Sequence, residues 1–329
     1  MMKLVAINAL LLLLAFTACA SEAPLTMQAA VVHDGGVRIQ SVAKPVPGAG
    51  EVRIRVRAAS VNPIDWKRAA NFRPQTANSK MIPGVDAAGT VDAVGAGVSE
   101  WKTGDAVLAL LDAPGAYAQY AIASADAMVR KPEKLSFEEA AGIPTVAYTA
   151  WSALIDTAKI RAGQRVLIHG GAGGVGSAAV QLAKARGAYV IATASSRNHE
   201  FLRTLGADET IDYRSQRFED VVKGVDIALN TVDADTATRS VSVTKPGGIV
   251  VSVAGSADAA KCSAASVRCS LRSRDGTPVA RVLQDIVDLA LAGKYKVNVD
   301  ATYPLANTAA AWDASRAGHT RGKRILLLP

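Results

Sequence analysis

Residues 169–176 read His169-Gly170-Gly171-Ala172-Gly173-Gly174-Val175-Gly176, and their setting decides the fold. Val166 to His169 is a short apolar run of strand type, and Val175 to Arg186 continues with the apolar spacing of an amphipathic helix. Gly171, Gly173 and Gly176 fit G-x-G-x-x-G. Without side chains there, the backbone can turn tightly and approach a pyrophosphate, whose charge then rests on the free N–H groups of the helix start. Glycines alone would be weak evidence, since a flexible loop also contains them. Lying between a strand and a helix, with a second strand following, they predict a dinucleotide site formed by Gly171, Ala172, Gly173, Gly174, Val175 and Gly176.

Outward from the loop toward the C-terminus, strand and helix patterns alternate. Tyr189 to Thr193, Val225 to Asn230 and Gly248 to Val253 are of strand type, with His199 to Leu205 helical. Such alternation predicts a parallel sheet wound on both faces. About twenty residues past the loop an NAD enzyme would carry Asp or Glu for the ribose hydroxyl. Here the sequence is Ser195-Ser196-Arg197. Hydroxyls and a guanidinium suit the doubly negative 2′-phosphate of NADPH, which a carboxylate would repel. Tyr213, just after the following strand, is a further candidate contact to that phosphate or its ribose. The competing reading leaves Arg197 as a solvated surface residue.

Outward toward the N-terminus the texture is that of a β domain. Val52-Arg53-Ile54-Arg55-Val56-Arg57 alternates apolar and charged residues, the pattern of a half-buried strand. Ala88 to Val94 and Ala106 to Leu111 read as further strands, with Thr103-Gly104-Asp105 as a turn between hairpin partners. Ser136 before Phe137-Glu138-Glu139 places a capping hydroxyl and acids at a helix start, and a domain boundary is expected nearby. From about Val297 the chain returns to isolated strands and one helix, closing with the strand Arg324 to Leu328. A length of 329 residues suits two domains, and 50% hydrophobic residues with 5% aromatic suit a Val/Ala/Leu interior. The net charge of +8 is scattered, with no long Lys/Arg run, which argues against a nucleic-acid partner.

The first twenty residues differ from the rest. Lys3 gives a short positive start, Leu4 to Phe16 is apolar except for Asn8, and Thr17-Ala18-Cys19-Ala20 follows with small residues. Residues 1–20 are expected to be an export leader, too short for a membrane-spanning helix across ~30 Å of hydrocarbon. Thr17-Ala18-Cys19 resembles a lipobox, which would make Cys19 a lipid-bearing N-terminus and the protein a membrane-anchored lipoprotein. Ala18-Cys19-Ala20 also fits ordinary secretion to a periplasmic location, and translation from Met27 would give a cytoplasmic protein. The lipoprotein reading is favoured, and the others stay open. Cys262 and Cys269 are the remaining cysteines. A disulfide between them and two unpaired thiols are both compatible with their spacing.

The motifs, taken together, resemble the zinc-independent quinone oxidoreductases and 2-alkenal (enone) reductases of the medium-chain dehydrogenase/reductase superfamily. The resemblance rests on Val61-Asn62-Pro63-Ile64-Asp65-Trp66, Ile82-Pro83-Gly84-Val85-Asp86-Ala87-Ala88-Gly89, Gly115-Ala116-Tyr117-Ala118-Gln119-Tyr120, Ala141-Gly142-Ile143-Pro144, Tyr148-Thr149-Ala150-Trp151, the glycine loop, Leu205-Gly206-Ala207-Asp208, Lys245-Pro246-Gly247-Gly248 and Thr320-Arg321-Gly322-Lys323. It implies an α/β chain with a GroES-like β-barrel catalytic domain (27–145) plus a doubly wound parallel-sheet Rossmann domain (146–290). A C-terminal return to the catalytic domain (291–329) completes it, with the cleft between the two domains.

Zinc-dependent relatives carry Cys where Asn62 stands and His where Val85 stands, and no four-cysteine lobe is present, so no metal is expected. Without a metal to polarise an alcohol, hydride transfer from NADPH to a quinone or an enone is the implied reaction. The resemblance puts Asn62 and Asp65 beside the reacting groups, Asn62 as an amide donor and Asp65 as a support for the loop. It sets Tyr148 and Thr149 around the nicotinamide and Arg321 and Lys323 over the cofactor. Asn230 stands where many relatives have Asp. A homodimer is implied by family habit. Two rival readings remain, an acyl-thioester enoyl reductase and an exported cofactor-binding protein with little or no catalysis. A lipase is excluded, because no G-x-S-x-G occurs.

Overall fold

Apolar alternation is already structural in the first hairpin, where β1 (Thr26–His33) pairs antiparallel with β2 (Gly36–Ala43). The computed structural model describes residues 25–34, 36–76, 79–273 and 276–329. The expected leader over 1–20, Cys19 included, lies outside the described residues. In β3 (Glu51–Val61) the side chains of Val52, Ile54 and Val56 are fully buried while the intervening arginines reach outward, as period two requires. From Ala58 onward every residue of β3 is buried, because the strand there enters the junction between the two domains.

Helix α1 (Pro63–Asn71) follows, then β4 (Asp86–Val94), β5 (Ala106–Leu110), β6 (Tyr120–Ser124) and β7 (Met128–Arg130). β4 pairs along one edge of β3, and β6 takes Glu51–Arg55 on the other. The hairpin β1–β2 joins this sheet through an Ala29–Ala118 bridge and the bond Ala30 N–H to Tyr117 O, 2.9 Å. Ser136 caps α2 (Phe137–Ala141), its hydroxyl accepting from the Glu139 amide at 3.1 Å while Glu139 accepts from the Ser136 amide at 2.9 Å.

Helix α3 (Pro144–Trp151) crosses to the second domain. There β8 (Arg165–Ile168), α4 (Gly174–Ala185), β9 (Tyr189–Ala194), α5 (His199–Thr204), β10 (Glu209–Asp212), α6 (Phe218–Val221), β11 (Val225–Asn230), α7 (Ala234–Ser240), β12 (Thr244–Ser252), α8 (Ala259–Ala264), β13 (Arg268–Leu271) and α9 (Val279–Leu291) follow in turn. All pairings in this sheet are parallel, in the order β10-β9-β8-β11-β12-β13. That is the doubly wound dinucleotide order, and its switch point lies between β8 and β11, where the glycine loop emerges. β12 begins earlier than the expected Gly248. The sequence Lys245-Pro246-Gly247 looks like a turn, but the strand passes through it with a register shift opposite Val225 and Ile227, a bulge that tolerates Pro and Gly. Cys262 and Cys269 are bonded, joining α8 to β13 with their Cα atoms 6.1 Å apart.

The chain then returns to the first sheet through β14 (Val299–Pro304), α10 (Thr308–Arg316) and β15 (Lys323–Leu327). β15 pairs with the buried half of β3, Ala58–Val61, so residues 321–323 arrive between the two domains.

Candidate active site

The glycine loop fits a pyrophosphate. Helix α4 opens at an N-cap, Gly173, that offers no side-chain bond, so its first-turn amides have no side-chain acceptor. A Cβ placed on Gly173 would meet only the Gly170 carbonyl oxygen at 3.4 Å, which leaves the approach to those amides open. Gly176 has the opposite reason for being glycine. A Cβ there would lie 2.2 Å from the Gly170 carbonyl oxygen, so any side chain would push the helix off the strand. Ala172 is buried, and its carbonyl accepts from the Gly322 amide at 2.9 Å, next to a bridge between Gly173 and Gly322. The C-terminal return therefore lies directly against the cofactor loop.

Beneath the loop, His169 is buried between Thr193 Oγ1 (3.2 Å) and Ser240 Oγ (3.0 Å), and burial pushes its pKa down to about 3, which keeps it neutral. Asn230 ties the loops after β11 and β12, donating to Asp233 O (2.8 Å), Ser252 Oγ (2.7 Å) and Ala254 O (3.1 Å).

At the far end of β9, Ser195 is buried while Ser196 and Arg197 are exposed. Asp212 draws this loop to the next one: its carboxylate accepts from the Arg214 amide (3.0 Å) and from Ser196, and these bonds lower its pKa. Tyr213, 56% exposed, stands beside them with the Arg214 guanidinium over its ring. Arg321 arrives from the other domain, donating to Asn198 Oδ1 and to the Arg197 carbonyl, both at 3.1 Å, while its guanidinium lies over Phe201. The structure thus brings Ser195, Ser196, Arg197, Tyr213 and Arg321 to one shelf.

The second cluster is built on Asn62, the N-cap of α1. It shares a capping box with Asp65, its backbone amide donating to the Asp65 carboxyl. Oδ1 of its carboxamide accepts from Lys323 Nζ at 2.6 Å, and Nδ2 donates to Asp86 Oδ2 at 2.8 Å. Asp86, fully buried at the start of β4, also accepts from Ser60 Oγ (2.6 Å) on Oδ2 and from the Thr145 amide (2.9 Å) and hydroxyl (2.5 Å) on Oδ1. A carboxylate at the first turn of α3 is favourable for that helix, and α3 carries Tyr148 and the buried Thr149. Lys323 is buried: the residue is 4% exposed, and its ammonium points to Asn62 and to Val61 O (3.3 Å) while its stem borders Gly174. Burial lowers the Lys323 pKa, against the pull of Asp86 and Asp65.

Asp65 is the other half of the α1 capping box. It accepts from the Asn62 amide (2.8 Å) and from the Tyr117 hydroxyl (2.7 Å), and burial raises its pKa to about 7 despite these bonds. Tyr117 is raised well above its ordinary value by burial and by Asp65. Asp86 and Tyr117 stand in the motifs quoted above but were not picked out as site residues, and neither were Thr145 and Ser60. Asp86 carried a signal, an acid inside the small apolar run Val85-Asp86-Ala87-Ala88, since a buried carboxylate demands partners.

Val85, where zinc-dependent relatives carry His, is buried. Among the described residues no group of three or more His, Cys, Asp or Glu side chains is arranged to hold a metal ion.

Residues 48–133 match the family model of the alcohol dehydrogenase GroES-like domain, and residues 205–326 that of the zinc-binding dehydrogenase. The chain is 32% identical over 319 residues to the chloroplast envelope quinone oxidoreductase homolog of Arabidopsis thaliana, covering 88% of this chain and 94% of that protein. It is 31% identical over 321 residues to the mitochondrial NAD(P)H oxidoreductase RTN4IP1 of Danio rerio, covering 84% and 83%. The structure of the quinone oxidoreductase from Coxiella burnetii superposes with a TM-score of 0.84 at 31% identity, covering 92% of this chain and all of that one (100%).

Proposed function

The chain belongs to the quinone oxidoreductase family of the medium-chain dehydrogenase/reductase superfamily, and from that premise we propose that it uses NADPH to reduce a quinone or an α,β-unsaturated carbonyl without zinc. The observation that carries this reading is the placement of an uncapped helix start, Gly173–Gly174, between a hydroxyl and guanidinium shelf at Ser195–Arg197 and the Lys323–Asn62 pair. The shelf suits a 2′-phosphate, and α4 suits the pyrophosphate.

Bound NADPH would supply the hydride. The protein would offer a donor to the acceptor oxygen that gains charge. Asn62 is that donor. Its Nδ2 donates to Asp86 at 2.8 Å and, in a longer bond of 3.5 Å, to Ser60 Oγ, which an acceptor oxygen could replace. The reading without zinc is supported by Asn62 and Val85 standing where zinc-dependent relatives carry Cys and His, and by the bond between Cys262 and Cys269. The disulfide supports an oxidising compartment, and an exported protein is part of the proposal.

The test is steady-state turnover with NADPH against quinones, alkenals and enoyl thioesters, with and without a chelator. Turnover of a quinone or alkenal that survives the chelator is the expected result. Turnover confined to enoyl thioesters would shift the assignment to an acyl-thioester enoyl reductase. NADPH binding with no turnover of any acceptor would identify a cofactor-binding protein.

A further inference from the structure

We propose that Lys323 is a positioning residue that fixes the carboxamide of Asn62 for the acceptor and locks it to the cofactor loop, an inference that rests on the NADPH reading above. A carboxamide can present either end to a neighbour, and its two orientations have nearly the same shape. Here the choice is made by charge. The Lys323 ammonium can only donate, and it takes Oδ1 at 2.6 Å. The Asp86 carboxylate takes Nδ2 at 2.8 Å, and its other acceptor positions are filled by Ser60 and Thr145. Nδ2 is thereby kept as the donor end, with one N–H on Asp86 and the other on Ser60 Oγ at 3.5 Å, the longer bond and the one that an oxygen gaining negative charge would replace.

Lys323 also has a covalent neighbour that matters. Gly322 donates its amide to Ala172 O at 2.9 Å and bridges Gly173, while the Lys323 stem borders Gly174. A single peptide unit therefore connects the pyrophosphate loop to the amide on the acceptor side. The Lys323 side chain is enclosed by three separate parts of the chain: Val61 and Asn62 at the end of β3, Asp86 on β4, and the start of α4. Removing the ammonium takes from Asn62 Oδ1 its charged donor, which weakens the preference for this amide orientation over the flipped one.

The experiment compares wild type, K323M, K323Q, N62A and the K323M/N62A double variant, measuring NADPH dissociation constants by fluorescence alongside kcat and KM for the best quinone or enone acceptor. K323M is expected to lower kcat about tenfold or more, the scale of a charged hydrogen bond. Its NADPH affinity stays within about threefold of wild type, because the loop amides remain. K323Q, which keeps an N–H donor, recovers part of the turnover and serves in place of K323M if the latter does not fold. In the N62A background the lysine substitution adds little, since the two residues act as one unit. Wild-type kcat in either lysine variant, or additive losses in the double variant, overturns the proposal. Wild type that fails to bind NADPH at all instead refutes the underlying functional reading.

Discussion

Asp65 shows how one residue's surroundings set a measurable property. Its carboxyl is buried, and burial raises its pKa from 3.8 to about 7. The unfolded chain releases this proton near 4, whereas the folded chain keeps it until about 7. The group's stabilising contribution is therefore complete below about pH 4 and is lost as pH rises from about 4 to 7. His169 acts in the opposite sense, because its pKa is held down to about 3 and its contribution is lost as pH falls from 6.5 toward 3. Comparing wild type with D65N isolates the first effect. Denaturant unfolding between pH 4 and 8 is expected to show the wild type losing stability relative to D65N by up to about 1.4 kcal/mol per pH unit. The carboxamide in that variant keeps an oxygen to accept from the Tyr117 hydroxyl but has no proton to release. Parallel curves for the two proteins would show that Asp65 titrates normally. At this scale the sequence was only partly legible. Asn62 was singled out by the motif around it, but its partners Lys323 and Asp86 lie 261 and 24 residues away in the chain, and no local pattern announces them.

Elements were more legible, because periodicity and turn chemistry act over a few residues. The alternation at Val52–Arg57, the Ser136 capping box and the strand–glycine–helix transition at 166–176 all correspond to elements of the fold. The edges that long-range pairing determines were harder to place, as β12 shows. So was the state of Cys262 and Cys269, which depends on how α8 packs beside β13 rather than on spacing alone. Closing this short loop, with a sequence separation of 7, restricts the unfolded chain modestly and is worth about 2 to 3 kcal/mol. Denaturant unfolding of the C262S/C269S variant is expected to show a loss of that size, matched by reductant acting on the wild type. An unfolding midpoint indifferent to both treatments would mean that the bond contributes nothing.

The whole molecule is organised by one topological fact: the chain leaves the first domain through α3 and returns to it through β14 and β15, so residues near both crossings converge on the cleft. Thr145 at the outward crossing bonds Asp86, and Lys323 at the return bonds Asn62, which makes the junction itself the candidate site. Arg321, two residues before Lys323, reaches the shelf on the Rossmann side and holds the loop that carries Arg197. The two-domain architecture was legible because the glycine loop sits in an alternating strand and helix series, whereas this convergence became visible only in three dimensions. The central claim is that the shelf reads the 2′-phosphate of a nicotinamide cofactor bound at α4. Fluorescence titration of wild type and R197A with NADPH and with NADH tests it most directly. The account predicts NADPH binding about tenfold or more tighter than NADH in the wild type, as one charged hydrogen bond allows, and loss of most of that preference in R197A. Equal affinity for the two cofactors, or no binding of either, would contradict it.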